Sequence, residues 1–220
     1  MWINRFLLVL GAAALAACAP DAPVTSAPPA AESRVQPVSI DVCGETVRYD
    51  SVPQRVVTHD VNITEMFLYL GLGDRLVGYS GIRGNKNIAP QYREQLAGVP
   101  ELSRGGMNIE AIVGAHADFV FAGWSYGFRE GEVTPAALRE FGIQSYILTE
   151  SCVRKVARTR VSLEDTFNDM LNLGRIFRME PHAQALVEQQ RAELQAVTDA
   201  LKGIESRPRV FVYDGGTDNF

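Results

Sequence analysis

The chain alternates between strand-like and helix-like segments, and this alternation constrains its fold more than any other feature of the sequence. Runs of branched and aromatic residues that are typical of buried strands occur in PQRVVTHD, RLVGYS, DFVFAGW and QSYILTE. Between them lie segments with helical spacing and cap residues: NITEMFLYLGLG with Asn62 as the predicted N-cap, NIEAIVGAHA, and TPAALREFG with Thr134 as the cap. Strands and helices in this order form parallel β-α units, so we predict an α/β fold with a doubly wound sheet.

Further segments flank this region. VSIDVCGETVRYD alternates apolar and polar residues on both sides of its Cys-Gly dipeptide, which predicts a small hairpin. A helical pattern runs from Ser162 to about Leu201, with a break near Pro181. Arg209–Tyr213 then has the composition of a buried strand. Because a lone strand leaves its backbone groups unpaired, we interpret it as the first strand of a second sheet and the chain as a partial sequence.

The N-terminus has the pattern of an export signal. Residues 1–17 contain one basic residue, Arg5, followed by an apolar stretch that is too short to span a bilayer comfortably. The adjoining stretch LAAC, residues 15–18, resembles a bacterial lipobox and predicts lipid attachment at Cys18; an ordinary cleaved signal with a chance cysteine is the alternative. Residues 18–37 are rich in Pro, Ala and Ser, so we predict a flexible tether between the lipid and a folded body.

Charge and cysteine content narrow the choice of partner and compartment. The net charge of -5 argues against nucleic acid as the main partner, since phosphate binding needs a dense basic patch. If Cys18 carries lipid, Cys43 and Cys152 remain as an even pair in an oxidising compartment, and we predict a disulfide between them. It would stabilise the fold by about 4–5 kcal/mol in the chain-entropy model. Two buried free thiols are the alternative.

Three motifs in order carry a family resemblance: PQRVVTHDVNITEMFLYLGLGDRLVGYSG, GMNIEAIVGAHADFVFAGW and LREFGIQSYIL. Together they resemble the periplasmic binding proteins that feed ferric-siderophore, haem and vitamin B12 ABC importers. The resemblance implies a class III periplasmic-binding-protein fold, in which a long helix joins two α/β lobes. It assigns residues 38–160 to one parallel-sheet lobe, 161–203 to a helical segment with the spanning helix, and 207–220 to the start of the second lobe.

Ligand-binding residues are expected in the loops beyond the carboxyl ends of the parallel strands. This places Asn62 and Tyr79 among the candidates, and the family resemblance supports Tyr79 and adds Arg104. Trp124 and Tyr126, with Phe128 beside them, form a loop whose rings could stack on a flat ligand. Further candidates are the cationic Arg83, with Lys86 nearby, and His59 after the first strand. The alternatives are aromatic side chains packed onto their own lobe and solvated surface charges.

Glu110, in the MNIE motif, occupies a position that pairs with permease arginines in the family, so the resemblance implies a docking role. The alternative is a first-turn acid favoured by the helix dipole. His59, His116 and His182 lack the spacing of metal ligands, and we predict no metal site.

These features predict a lipid-anchored, extracytoplasmic solute-binding protein of the bacterial envelope. The expected ligand is a ferric siderophore, with vitamin B12 or haem as the alternative, and the expected partner is an ABC permease. We expect a monomer with no cofactor of its own. An enzyme is disfavoured because GLGDRLVG lacks the G-x-G-x-x-G spacing and no G-x-S-x-G elbow occurs. A non-transport envelope lipoprotein is the remaining alternative.

Overall fold

The computed structural model describes residues 36–82, 87–157 and 160–211. The predicted signal peptide, the lipidation site Cys18, nearly all of the tether, and the candidates Arg83 and Lys86 lie outside the described residues. Their predicted roles stay predictions.

The strands and helices follow the predicted alternation. The strands are β1 Val38–Val42, β2 Glu45–Tyr49, β3 Val56–His59, β4 Leu76–Ser80, β5 Glu101–Ser103, β6 Phe119–Trp124, β7 Gly127–Phe128 and β8 Gln144–Ile147. The α-helices are α1 Val61–Tyr69, α2 Ile109–Gly114, α3 Pro135–Glu140, α4 Leu163–Ile176 and α5 Glu180–Ala200. Short 3-10 turns cover Gly73–Arg75, Pro90–Tyr92 and Thr149–Arg154.

The main sheet is parallel, as predicted. β3 pairs with β4 on one side and with β6 on the other, β4 pairs with β5, and β6 pairs with β8. β7 pairs only with the last two residues of β6. Because the strands run in one direction, their carboxyl ends meet along one edge of the sheet.

Two hydrophobic clusters cover the two faces of this sheet. Successive strand residues point to opposite faces, so Val56 and Phe119 join one cluster while Val57 and Val120 join the other. The first cluster also contains buried side chains from α1, α4 and α5, and the second contains those of α2 and α3. The sheet is thus buried on both sides, which explains the contiguous apolar runs in the sequence.

The hairpin predicted around the Cys-Gly dipeptide is confirmed by the antiparallel pairing of β1 with β2. Cys43 and Gly44 have φ values of 51° and 84°, as a two-residue type I′ turn requires. Cys43 is disulfide-bonded to Cys152, and their Cα atoms lie 5.1 Å apart. This bond joins the hairpin to the 3-10 turn Thr149–Arg154, the pairing that the sequence analysis predicted.

Helix α1 begins earlier than predicted. Asp60 is its N-cap, and its Oδ1 accepts a hydrogen bond from the backbone N of Val61 at 2.6 Å. Asn62 therefore lies inside the helix, where its Oδ1 accepts from the backbone N of Ile63 at 2.9 Å. Both residue types cap helices well, and Asp60 takes the position because its own N–H is held by the Ser80 carbonyl at 2.9 Å.

The helical segment divides into α4 and α5, with Pro181 in the first turn of α5, where the absence of its N–H costs nothing. Helix α5 has 21 residues and is about 31 Å long. Its first half packs on the lobe through Ala183 and Val187, whereas residues 191–200 are exposed. No helix within the described ranges combines the length and apolar character that a membrane span needs.

The strand predicted over Arg209–Tyr213 does not form in the part of it that the structure describes, which ends at Phe211. Val210 and Phe211 are 74% and 78% exposed. The physical reason is that a strand needs a hydrogen-bonding neighbour, and no strand of the described residues lies beside this segment. The assignment of 207–220 to a second lobe stays a prediction. Conversely, the short edge strand β5 was not predicted from the sequence.

Candidate functional site

A cavity of about 200 Å³ lies at the carboxyl edge of the main sheet. It is formed by the loops that follow β3, β4, β5 and β6, which is where ligands bind in open parallel sheets. Its lining includes His59, Asp60, Gly81, Ser125, Arg129 and Glu132.

His59 forms one wall of this cavity and is held firmly. It is 7% exposed, and its Nδ1 lies 2.9 Å from the hydroxyl oxygen of Ser80. Gly81 and Gly127 lie against the imidazole so closely that an added Cβ would come within 2.5 Å and 2.9 Å of it, respectively. Both glycines also have positive φ, so larger residues at these positions would be strained and would displace the ring.

Two other residues that line the cavity have strained backbones. Asp60 has φ 77° and Ser125 has φ 70°, a region that residues other than glycine seldom adopt. Asp60 is 6% exposed and is fixed by capping α1. Such conformations persist where the surrounding structure enforces them, and they cluster at functional sites.

The mouth of the cavity carries an ion pair. Arg129 Nη1 lies 3.2 Å from Glu132 Oε1, and the two side chains are 68% and 44% exposed. A pair this exposed is weak, so a ligand anion could compete with Glu132 for the guanidinium group. Asp60, Arg129 and Glu132 were all missed by sequence reasoning. Asp60 could have been found, because it directly follows β3.

Neither Arg104, which follows β5, nor Tyr79, on β4, lines the cavity itself. Arg104 directly precedes Gly105, which lines it, but its own side chain is 87% exposed, with Nε 3.6 Å from Glu101 Oε2. Tyr79 lies within β4 and pairs in register with Glu101. Burial raises the pKa of Tyr79, and the Glu101 charge raises it further.

Trp124 faces a different surface from the cavity. Its ring lies in a groove of about 360 Å³ beside Cys43, and the Lys155 Nζ sits 3.8 Å from the ring centroid. Lys155 is in turn paired with Glu130. The ring centroids of Phe128 and Trp124 lie 6.0 Å apart, and Phe128 is 1% exposed. Phe128 therefore packs on its own lobe, and it also lines the cavity.

Tyr126 and Asn62 lie toward the face of the sheet that α1, α4 and α5 cover, opposite to the face of Trp124. Tyr126 is half-buried against the cluster of α1, α4 and α5. Burial raises the pKa of Tyr126, and the negative charge of the Glu150 carboxylate raises it further. Asn62 lines a third cavity, of about 400 Å³, together with Tyr69 and Tyr92. The predicted site residues therefore surround the carboxyl edge without converging on one point.

Glu110 lies in the first turn of α2, the helix that follows the loop of Gly105 and Gly106. The helix is capped by Asn108, whose Oδ1 accepts from the backbone N of Ala111 at 2.7 Å. Glu110 is exposed, as a docking residue would need to be. Within the ranges that the structure describes, no three His, Cys, Asp or Glu side chains are grouped to hold a metal ion.

A parallel-sheet lobe with a cavity at its carboxyl edge, followed by a long helix, defines the class as an α/β protein whose strand-end loops are suited to contact a ligand. The chain belongs to the periplasmic binding protein family, whose sequence profile matches residues 56–219. This confirms the resemblance drawn from the three motifs and the fold class that it implied.

Curated relatives support the same assignment. A cobalamin-binding protein of Halobacterium salinarum is 28% identical over 94% of this chain and 54% of its own length. An uncharacterised ABC transporter substrate-binding lipoprotein of Bacillus subtilis, YvrC, is 24% identical over 97% of this chain and 66% of its own length. The chain thus spans about half to two thirds of the length of these relatives.

Solved structures show the same fold. A periplasmic binding protein from Veillonella parvula superposes with a TM-score of 0.68 and 28% identity, covering 82% of this chain and 58% of the other. A component of an Fe³⁺-hydroxamate transport system from Saccharomonospora viridis superposes with a TM-score of 0.63 and 23% identity, over 76% and 58% of the two chains.

Proposed function

We propose that this chain belongs to an extracytoplasmic solute-binding protein of an ABC importer, which captures a ferric siderophore and delivers it to a membrane permease. The observation that carries this proposal is the cavity at the carboxyl edge of the sheet in a member of the periplasmic binding protein family. The Bacillus subtilis relative, which is named an ABC transporter substrate-binding lipoprotein, supports the importer role.

The charges at the cavity favour an anionic chelate. Arg129 offers a guanidinium group at the mouth, and such groups bind carboxylate and catecholate oxygens in a forked geometry. A cavity of about 200 Å³ is smaller than typical pockets for small molecules, so it would hold one edge of a chelate. The remainder of the ligand would lie over the exposed carboxyl edge, near Arg104 and Tyr126.

Vitamin B12 is the second candidate, and one observation favours it. The Halobacterium salinarum relative, with 28% identity, is named a cobalamin-binding protein. Haem is a further alternative within the same kind of importer. The three ligand classes differ in charge and in shape, so they can be separated by direct titration.

The cellular setting is part of the proposal. The family places the protein outside the cytoplasmic membrane, where the disulfide between Cys43 and Cys152 can form. Lipid attachment at Cys18 would hold it at the envelope, and it would act as a monomer without enzymatic activity. Glu110, exposed on α2, would contribute to docking on the permease.

Titration of the mature protein with four probes tests the function: ferrichrome, ferric enterobactin, haemin and cyanocobalamin. The readouts are the fluorescence of Trp124, the tryptophan that remains once residues 1–17 are removed, and the melting temperature. We expect saturable binding and a higher melting temperature with one of the ferric siderophores. Saturation by cyanocobalamin or haemin alone would transfer the assignment to that ligand. No response to any probe would contradict the solute-binding role.

A further inference from the structure

The loop that follows β6 has a strained conformation that contacts with other parts of the lobe must stabilise. Within it, the backbone N of Gly123 donates to the Tyr126 carbonyl at 3.0 Å, and the N of Tyr126 donates back to the Gly123 carbonyl at 2.9 Å. This closes a tight turn in which Ser125 has φ 70°. Gly127, directly after the turn, has φ 110°. A non-glycine residue at positive φ is strained, so the turn is not a conformation that the segment favours alone.

The 3-10 turn Thr149–Arg154 supplies such support through Ser151. The backbone N of Trp124 donates to the hydroxyl oxygen of Ser151 at 3.0 Å, while the Ser151 hydroxyl donates to the Leu148 carbonyl at 2.6 Å. The carboxylate of Glu150, the preceding residue, lies close enough to Tyr126 for its negative charge to raise the pKa of the tyrosine. Ser151 thus holds the backbone of the loop, and Glu150 lies beside one of the loop's side chains.

The contact between Ser151 and the loop is close and buried. Ser151 is 3% exposed, and a Cβ on Gly123 would lie 3.0 Å from its Oγ. Gly123 therefore permits the approach by having no side chain. Because the hydroxyl is shielded from water, no solvent molecule can readily replace it as the acceptor for the Trp124 N–H.

The turn is itself anchored to two other parts of the lobe. The carboxylate of Asp169, on α4, accepts hydrogen bonds from the backbone N and the hydroxyl of Thr149. At the other side, Cys152 is disulfide-bonded to Cys43 of the β1–β2 hairpin. A turn fixed at both sides of Ser151 can hold a strained loop in place.

We propose that Ser151 is a positioning residue for the candidate site, which holds the loop Gly123–Phe128 in its strained conformation through the backbone of Trp124. The loop brings Ser125 and Gly127 to the cavity, and Gly127 packs directly on His59. Release of the Trp124 N–H would let the loop relax, so the cavity wall beside His59 would lose its shape. The effect on ligand affinity rests on the proposed function, whereas the effect on the loop does not.

Ser151→Ala tests this proposal, with Ser145→Ala as the matched control because it removes a hydroxyl from β8 at a position away from the carboxyl edge. Amide hydrogen exchange is followed residue by residue in the ligand-free chain, and the melting temperature is recorded for each variant. We expect the Trp124 amide to exchange about tenfold faster in Ser151→Ala, with acceleration confined to the loop and with β3 unchanged. Ser145→Ala should leave loop exchange as in the wild type.

A second measurement addresses the ligand. If a probe from the titration binds the wild type, Ser151→Ala should weaken its affinity by about tenfold, and Ser145→Ala should not. Local acceleration of exchange with unchanged affinity would overturn the role in ligand positioning. Unchanged exchange at Trp124, or equal acceleration across the whole sheet, would overturn the positioning of the loop itself.

The failure of the proposed function can be told apart from the failure of this inference. If the wild type binds no probe, the solute-binding role fails, and the exchange rates still decide whether Ser151 holds the loop. If Ser151→Ala does not fold, Glu150→Ala removes the neighbouring carboxylate beside Tyr126 instead. It should accelerate exchange of the Ser125 and Tyr126 amides by about threefold, and unchanged rates there would count against the turn as a support.

Discussion

Asp169 is a buried acid with an unusual environment. Its carboxylate accepts hydrogen bonds from the Tyr146 hydroxyl at 2.7 Å and from the backbone N of Thr149 at 3.1 Å. Burial raises the pKa of Asp169 to about 6, although the hydrogen bonds from Thr149 and Tyr146 lower it. Asp165, one turn earlier on α4, contributes a further rise through its negative charge. The loss of hydration thus outweighs the hydrogen bonds.

This shift predicts that stability falls as pH rises. The folded-state pKa of Asp169 lies above the value of about 3.9 in an unfolded chain, so folding favours the protonated form. Its stabilising contribution is complete below about pH 4 and is lost as pH rises through 6, by on the order of 3 kcal/mol. Asp169→Asn removes this titration. Unfolding free energies measured from pH 4 to 8 should therefore shift in favour of the variant as pH rises, and parallel curves would contradict the prediction.

Arg129 allows a test of ligand charge. Arg129→Gln keeps most of the side-chain volume and removes the cation at the cavity mouth, so the affinity for an anionic ferric siderophore should fall by about tenfold. Affinity for cyanocobalamin should change little. Arg139→Gln is the matched control, since Arg139 is exposed on α3 and lines a different groove. Equal losses in both variants would show that general surface charge, and not Arg129, attracts the ligand.

At the scale of elements, helices α4 and α5 pack so closely at one point that there is no room for a side chain on α4. Gly174 faces Ala183, and a Cβ on Gly174 would lie only 2.5 Å from the Ala183 Cβ. Gly174→Ala should therefore push the helices apart and lower the free energy of unfolding by roughly 1–3 kcal/mol, despite the better helix propensity of alanine.

Gly114→Ala is the control for this contact, because an added Cβ on Gly114, in α2, meets nothing within 4 Å. There the propensity gain should act alone and stabilise the protein by roughly 0.5–1 kcal/mol. Chemical denaturation of both variants compares the two effects. Stabilisation by Gly174→Ala would mean that α4 and α5 pack less closely than the structure shows.

Strands with a clear apolar pattern could be predicted from the sequence, and the short edge strand β5 could not. The strands around Val57 and Val120 leave contiguous apolar runs because both of their faces pack in the core. β5 lies at the edge of the sheet and is partly exposed over its whole length, so Glu101–Ser103 carries no such run. The start of α1 was also ambiguous, since Asp60 and Asn62 are both suitable caps and a tertiary hydrogen bond decides between them.

For the candidate site, the sequence predicted the edge of the sheet on which it lies but not the side chains that line it. Parallel topology places every strand end on one side, which directed attention to the loops after β3 and β6, where the cavity lies. The directions of the side chains depend on loop conformations such as the positive φ of Ser125, which no local pattern in the sequence signals. Hence Trp124 and Tyr126, two residues apart, face different surfaces, while Arg129 reaches the cavity.

At the scale of the whole molecule, the lobe separates two surfaces to which the proposed function assigns different tasks. The cavity lies at the ends of the strands, whereas Glu110 lies exposed on the first turn of α2 and does not line it. Ligand capture and permease docking can therefore be altered independently if the proposed function holds. This separation is what a delivery protein needs, since docking must occur while the ligand stays bound.

Charge reversal at Glu110 tests this separation. Glu110→Lys should weaken docking to permease-containing proteoliposomes by about fivefold, because an attractive surface charge becomes a repulsive one. Ligand affinity should stay unchanged. The variant also places a cation near a helix N-terminus, which costs up to about 1 kcal/mol, so docking is measured well below the melting temperature.

The matched control is Glu140→Lys, at the last residue of α3, which makes the same charge change where a cation suits the helix dipole. Because both variants carry the same net charge, equal docking by the two would assign the effect to overall charge and remove Glu110 from the docking surface.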